Sequence, residues 1–69
     1  MKLNWENDFQ ITAKIEDKII HISANRAGLI SLANHLTALA QEVPGSHIHL
    51  DEFNSLEDNS NELIIERTE

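Results

Sequence analysis

The apolar side chains of this chain change their spacing twice, and this change restricts the possible folds more than any other feature. From residue 9 to residue 24 they recur at nearly every second position, and from 26 to 43 they recur every three or four residues. From 46 to 51 they alternate again. Alternation is typical of a half-buried strand, and the longer period is typical of an amphipathic helix. The pattern therefore predicts strands on both sides of one helix.

The first alternating region is predicted to form a hairpin. One strand runs from Phe9 to Glu16, and residues 17–18 fit a two-residue turn, although that turn lacks the glycine favoured there. A loop of this length sets the register of the two strands. It places apolar residues opposite each other, in the pairs Ile15–Ile20 and Ala13–Ile22.

The helix is predicted from Arg26 to Glu42, with Asn25 or Ser23 capping its first amides. Gly28 in its first turn is either a weak point or a close contact with the sheet. His35 lies beside the apolar stripe and is expected at the surface or at its boundary with the core, whereas Trp5, ahead of the first strand, is expected in the core. The stripe that should face the core consists of Leu29, Leu32, Ala33, Leu36, Leu39, Ala40 and Val43.

Two further strands are predicted at residues 46–51 and 62–67, separated by a loop rich in Asn, Asp and Ser. Phe53 and Leu56 should anchor this loop to the core. The expected fold is α+β with the order ββαββ, a four-stranded, mainly antiparallel sheet with one helix packed on one face. A chain of 69 residues is too short for two cores, so residues 1–69 are expected to form a single small domain.

The charge balance restricts the partners. Twelve acids against five bases give a formal net charge of −7, which argues against binding to a nucleic-acid backbone. From residue 51 onward there are seven acids and one base, which suits either solubility or a basic protein partner. The chain has no cysteine and no run of about 20 apolar residues, so we expect a cytoplasmic protein that does not bind a membrane.

The third strand carries its polar residues on one face. His47 and His49 project the same way, about 6–7 Å apart, and could share a metal ion with His21 or Asp51 from the same sheet face. This favours one hypothesis, a metal-binding or metal-dependent hydrolytic module. The chain has no cysteine nucleophile, phosphate-binding loop or cofactor motif. We therefore expect neither an enzyme nor a cofactor.

A family resemblance sharpens these hypotheses. The segments that carry it are Ile22–Asn25, Gly28–Leu29, Leu32–Ala33 with Leu36 and Leu39–Ala40, Gly45–Asp51 and Glu62–Glu66. Together they resemble the immunity protein 32 family of bacterial polymorphic toxin systems. The resemblance implies a small intracellular bacterial protein that binds and neutralises a cognate toxin, and it transfers no catalytic residue to this chain.

The leading hypothesis is a non-enzymatic, acidic protein-binding module whose partner is a toxin with a basic surface. An acidic surface would bind such a partner through electrostatic complementarity. A third hypothesis is a homodimeric structural component whose histidine face is the interface between copies. The residues predicted to contact the partner are His47, His49, Asp51, Glu57, Asp58, Glu62 and Glu66.

Overall fold

The computed structural model describes residues 1–69. The order of elements is ββαββ, which confirms the predicted α+β class. The single helix lacks the length and apolarity needed to cross a membrane. The elements are β1 (Ile11–Glu16), β2 (Ile19–Ala24), α1 (Arg26–Ala40), β3 (His47–Leu50) and β4 (Leu63–Glu66).

Strands β1 and β2 form the predicted antiparallel hairpin. Ile15 lies opposite Ile20 and Ala13 opposite Ile22, so the predicted register is confirmed. The two turn residues, 17 and 18, both have positive φ angles, of 50° and 67°. This is the turn geometry that matches the twist of the flanking strands, and here it forms without glycine.

Strands β3 and β4 form a second antiparallel hairpin, in which Ile48 lies opposite Ile65. The two hairpins are separate two-stranded sheets, so the prediction of one four-stranded sheet is wrong. The loop between β3 and β4 occupies the edge of β1 that a further strand would have used. The amide of Glu57 donates to the carbonyl of Ile11 over 2.9 Å, and that of Asn61 donates to Ala13 over 2.7 Å.

Helix α1 begins at the cap predicted for it. The side-chain oxygen of Asn25 accepts a hydrogen bond from the Gly28 amide over 2.8 Å. The same oxygen accepts from the Gln10 amide over 3.1 Å, which ties the helix start to the first hairpin. The helix ends at Ala40, two residues before the predicted end, because the amides of residues 41 and 42 bond three residues back and tighten the last turn.

The helix turns a different face inward from the predicted stripe. Of that stripe only Leu39 is buried, Leu32 is half-buried, and the others are exposed. The buried face is rotated from it by about a quarter of a turn. A β-carbon on Gly28 would lie 2.5 Å from the carbonyl oxygen of Gln10, so only glycine permits this close approach. The buried helix residues are Gly28, Ser31, His35 and Leu39.

The segment before β1 covers the flank of the helix. The hydroxyl of Ser31 accepts a hydrogen bond from the Glu6 amide over 2.8 Å. Trp5 stacks on Phe9 with ring centroids 4.4 Å apart, and both rings pack against the core. These contacts agree with the expected core position of Trp5. They also explain why Ser31 on this face is buried, since the segment supplies a hydrogen-bond partner that an isolated helix lacks.

The core is small and lies where the helix, the two hairpins and the long loop meet. Only nine of the 69 residues are buried. The prediction that Leu56 anchors the long loop is confirmed, because its side chain is buried in this core. The buried apolar residues are Ile11, Ala13, Leu39, Ile48, Leu50 and Leu56.

Candidate protein-binding surface

The second hairpin has one apolar face and one polar face. Ile48 and Leu50 of β3 point inward and are buried, whereas His47 and His49 between them are exposed. His47 lies opposite Glu66 on β4, so one imidazole and one carboxylate are direct cross-strand neighbours. The predicted outward placement of these residues therefore agrees with the structure.

His49 is the centre of a small polar cluster. Its Nε2 atom lies 3.3 Å from Oε2 of Glu62 and 3.7 Å from Oδ2 of Asp51. Nearly half of the His49 side chain is accessible to solvent, and most of the Glu62 side chain is accessible as well. Water screens ion pairs at such exposed positions. These contacts add little to stability, and the groups are accessible to a partner.

Asp51 also accepts hydrogen bonds from backbone amides of the loop that follows β3. Its Oδ1 atom accepts hydrogen bonds from the amides of Phe53 and Asn54 over 2.9 and 3.0 Å. Its backbone carbonyl accepts from Leu56 over 2.8 Å, which closes a tight turn. Asn54 completes the loop by donating from its side chain to the His49 carbonyl over 3.0 Å. The loop is thereby tied to the end of β3.

This turn projects Phe53 into solvent. The residue is 90% exposed, so the prediction that it anchors the loop to the core is wrong. The hydrogen bonds that Asp51 makes orient the turn so that Leu56 points inward and Phe53 points outward. Aromatic residues are enriched in protein-binding surfaces, where a few of them provide much of the affinity. The feature of the sequence that could have indicated an exposed turn here is an aspartate, Asp51, two positions before the aromatic residue.

The acidic residues of the second half are spread over the loop and the second hairpin. Glu57 and Asp58 lie in the loop, where the Glu57 amide is bound to β1. Both contacts within 4.0 Å between a basic group and a carboxylate involve His49. The one base in this half, Arg67, donates from its guanidinium to the carbonyl of Glu42 at the helix end. The acidic groups of this half therefore present a field that a basic surface would complement.

The structure does not bring the three predicted metal ligands together. His21 lies on β2, opposite Lys14 in the first sheet, whereas His47 and His49 lie on β3 in the second. The expectation of a single sheet face that carries all three was wrong, because the two hairpins form separate sheets. No group of three His, Cys, Asp or Glu side chains is arranged to hold a metal ion.

His35 is the polar residue that the sequence placed wrongly. It was expected at the surface or at its boundary with the core, but it is 1% exposed, and neither ring nitrogen has a hydrogen-bond partner. The ring of Trp5 meets it nearly edge-on, with centroids 4.1 Å apart. Desolvation by burial lowers the pKa of the His35 imidazole below its ordinary value of 6.5. His35 is thus a neutral packing residue at pH 7.

Comparison with known proteins gives one match. The family model described as Immunity protein 32 matches residues 19–68, which cover β2, α1, β3 and β4. No curated protein and no solved structure matches the chain. The matched range includes the exposed histidines of β3, the loop that carries Phe53, and most of the acidic residues.

Proposed function

Because the chain belongs to the immunity protein 32 family, we propose that it binds a cognate bacterial toxin and neutralises it without catalysing a reaction. The family match is the observation that carries this proposal. The predicted contact residues are all within the matched range. The chain blocks the toxin by covering it, which requires binding and no catalysis.

The proposed contact is the acidic surface, made of the exposed face of β3 and β4 together with residues 51–62. Seven acids and one base in residues 51–69 favour a partner surface rich in lysine and arginine. Such a surface is expected around the active site of a toxin that attacks an anionic substrate. The acidic surface then occupies the place of that substrate.

Within the acidic surface, Phe53 is the proposed anchor. Its ring is 90% exposed on a turn held by two hydrogen bonds, in which the Phe53 amide donates to Oδ1 of Asp51 and the Asp51 amide donates to Oδ1 of Asn54. A backbone turn that is already held in place loses little conformational freedom on binding, which favours affinity. The surrounding carboxylates attract the partner, and the ring supplies apolar contact area.

The test is the association rate with the cognate toxin domain. Replacing Asp58 and Glu62 by lysine should slow association about tenfold or more at low ionic strength, because electrostatic attraction accelerates encounter. The matched control replaces Glu6 and Glu16, two exposed acids outside the acidic surface, and changes the net charge equally. The control variant should lose much less.

Two results would contradict the proposal. If both pairs of substitutions slow association equally, net charge alone is responsible and the acidic surface is not the contact. If the chain does not bind the toxin domain at micromolar concentration and does not reduce its activity, the neutralising function itself is wrong. Raising the salt concentration should diminish the difference between the two variants, since ions screen exposed charges.

A further inference from the structure

Strand β2 has one edge without a partner. On β1 the backbone groups of Ile11, Ala13 and Ile15 bond to the long loop; for example, the Asn61 amide donates to the Ala13 carbonyl over 2.7 Å. In an antiparallel pair these groups alternate with those that bond to the neighbouring strand. The residues of β2 opposite Ala13 and Ile15 are Ile22 and Ile20. Their N–H and C=O groups therefore point away from β1, along a free edge.

The free edge lacks the usual protection against pairing with another chain. Such edges commonly carry lysine, proline or a bulge that prevents another strand from adding to them. Residues 19–24 read Ile-Ile-His-Ile-Ser-Ala, with no Lys, Arg, Asp or Glu and no proline. Five of these six residues are exposed. This edge is thus suited to adding a further strand.

One face of the first hairpin is covered at one end and bare at the other. Ile11 and Ala13 are buried near the helix, but on the same face Ile15 is 59% exposed and Ile20, opposite it, is 70% exposed. Ile22 lies between these extremes at 40%. The hairpin extends beyond its own helix, so its tip presents apolar side chains that this chain does not cover.

The chain exposes more surface than a monomer of its mass should, and the excess is about the size of one side of a protein interface. The accessible surface is 5048 Å². A folded monomer of 7.8 kDa is expected to expose about 4,400 Å², so the chain exposes about 650 Å² in excess. One side of a standard protein interface covers about 800 Å². The excess is close to what one partner would bury.

The distribution of charge favours a second copy of the same chain at this edge. Residues 11–26 contain two acids and three bases, whereas residues 51–69 contain seven acids and one base. Two copies, each with a net charge of −7, repel least where their first hairpins meet. A strongly basic partner would find less attraction here than at the acidic surface.

We propose that the chain forms a homodimer in which the free edge of β2 pairs antiparallel with the same edge of a second copy. This inference does not rest on the proposed function. Residues on the same face must lie opposite each other, which fixes the parity of the register. With the two-fold axis at His21, Ile20 lies opposite Ile22 of the second copy, and the outward backbone groups of both residues bond across the interface.

This register also explains the bare hairpin tip. Antiparallel pairing places the turn of one hairpin beside the end of the other copy's β2, where its helix begins. The exposed side chains of Ile15 and Ile20 then lie near the covered end of the β1–β2 hairpin of the other copy. Because the loop already closes the far edge of β1 in each copy, assembly stops at two chains and does not continue as a fibre.

Single cysteines test the register directly, since the natural chain has none. In the proposed dimer His21 faces its own counterpart in a non-hydrogen-bonded pair, with α-carbons about 4.5 Å apart, a distance that a disulfide can span. The variant His21→Cys should therefore form a disulfide-linked dimer on mild oxidation. Ser23→Cys, on the same strand and face, is the matched control, because its counterpart lies about 13 Å away.

The oligomeric state, measured by analytical ultracentrifugation from 1 to 200 μM, provides the second test. Ile20→Lys should weaken the dimer about tenfold or more, because it places a charge in an apolar contact. The control is Ile64→Lys, a residue 59% exposed on the second hairpin, which should leave the dimer unchanged. Circular dichroism should show both variants folded, since each side chain is exposed in the single chain.

Several results would overturn the dimer. A natural chain that is monomeric over the whole concentration range would do so, as would equal oxidation rates for the two cysteine variants. A dimer that survives Ile20→Lys but is lost with Ile64→Lys would assign the interface to the second hairpin. Finally, a monomer whose toxin binding is lost with Ile20→Lys would show that a toxin segment, not a second copy, adds to β2.

Discussion

Replacement of His35 by leucine is predicted to stabilise the folded chain. Both ring nitrogens are buried without a partner, and a buried polar group without a hydrogen bond costs about 1–3 kcal/mol. Leucine has a similar size and no polar side-chain atom. The substitution also removes the edge-on contact with Trp5, and aromatic pairs of this kind contribute about 0.5–1.5 kcal/mol. The expected net gain in the free energy of unfolding is about 1 kcal/mol at pH 7.5.

The same substitution should change the pH dependence of stability. Burial lowers the pKa of folded His35, so below pH 6.5 the unfolded chain binds a proton that the folded chain does not. Stability that is fully present above pH 6.5 is lost as the pH falls from 6.5 toward the lowered folded pKa. The loss is at most about 1.4 kcal/mol for each pH unit in this window. The leucine variant lacks this loss, so its advantage should grow at acidic pH.

Urea unfolding at pH 7.5, 6.5 and 5.5 measures both effects. His47→Leu is the matched control, because it removes an exposed imidazole from β3 and should leave the stability nearly unchanged. A leucine variant at position 35 that is less stable than the natural chain at pH 7.5 would refute the argument from unsatisfied nitrogens. An advantage that stays constant between pH 7.5 and 5.5 would refute the argument from protonation.

Four other substitutions have expected outcomes that the structure determines. Gly28→Ala should lower the free energy of unfolding by about 1–3 kcal/mol in urea, because the added β-carbon would overlap the first hairpin. Leu56→Ala should cost about 2–5 kcal/mol in the same assay, since it leaves a cavity in the core. Lys18→Gly should raise the free energy of unfolding by about 0.5 kcal/mol, and the melting temperature slightly, because φ is 67° at this position. Phe53→Ala should leave stability within about 0.5 kcal/mol. In surface plasmon resonance, that variant should release the toxin domain about tenfold faster.

Much of the local structure could be predicted because it depends on residues close together in the chain. Alternation identified the strands, and the two-residue loop determined which isoleucines lie opposite each other in the first hairpin. Asn25 was identifiable as a helix cap from its type and position. On the candidate surface, the same alternation placed His47 and His49 on the outer face of β3.

Other features depended on segments distant in the chain. The helix has apolar residues on more than one side, and the choice of the inward face followed from the close contact at Gly28 and from the Glu6 amide that satisfies Ser31. The burial of His35 has the same origin, since Trp5 covers it. No periodicity within the helix records these contacts, because their partners belong to the segment before β1.

The sequence by itself determined the order of elements, the register of the first hairpin and the concentration of acidic residues in the second half, because these depend on composition and near neighbours. Only the tertiary structure decided that the hairpins form separate sheets, since loop amides occupy the edge of β1. It also decided that Phe53 and the edge of β2 face solvent. Exposure depends on which groups from distant parts of the chain pack against each surface. The core of this chain is small and leaves several apolar groups uncovered.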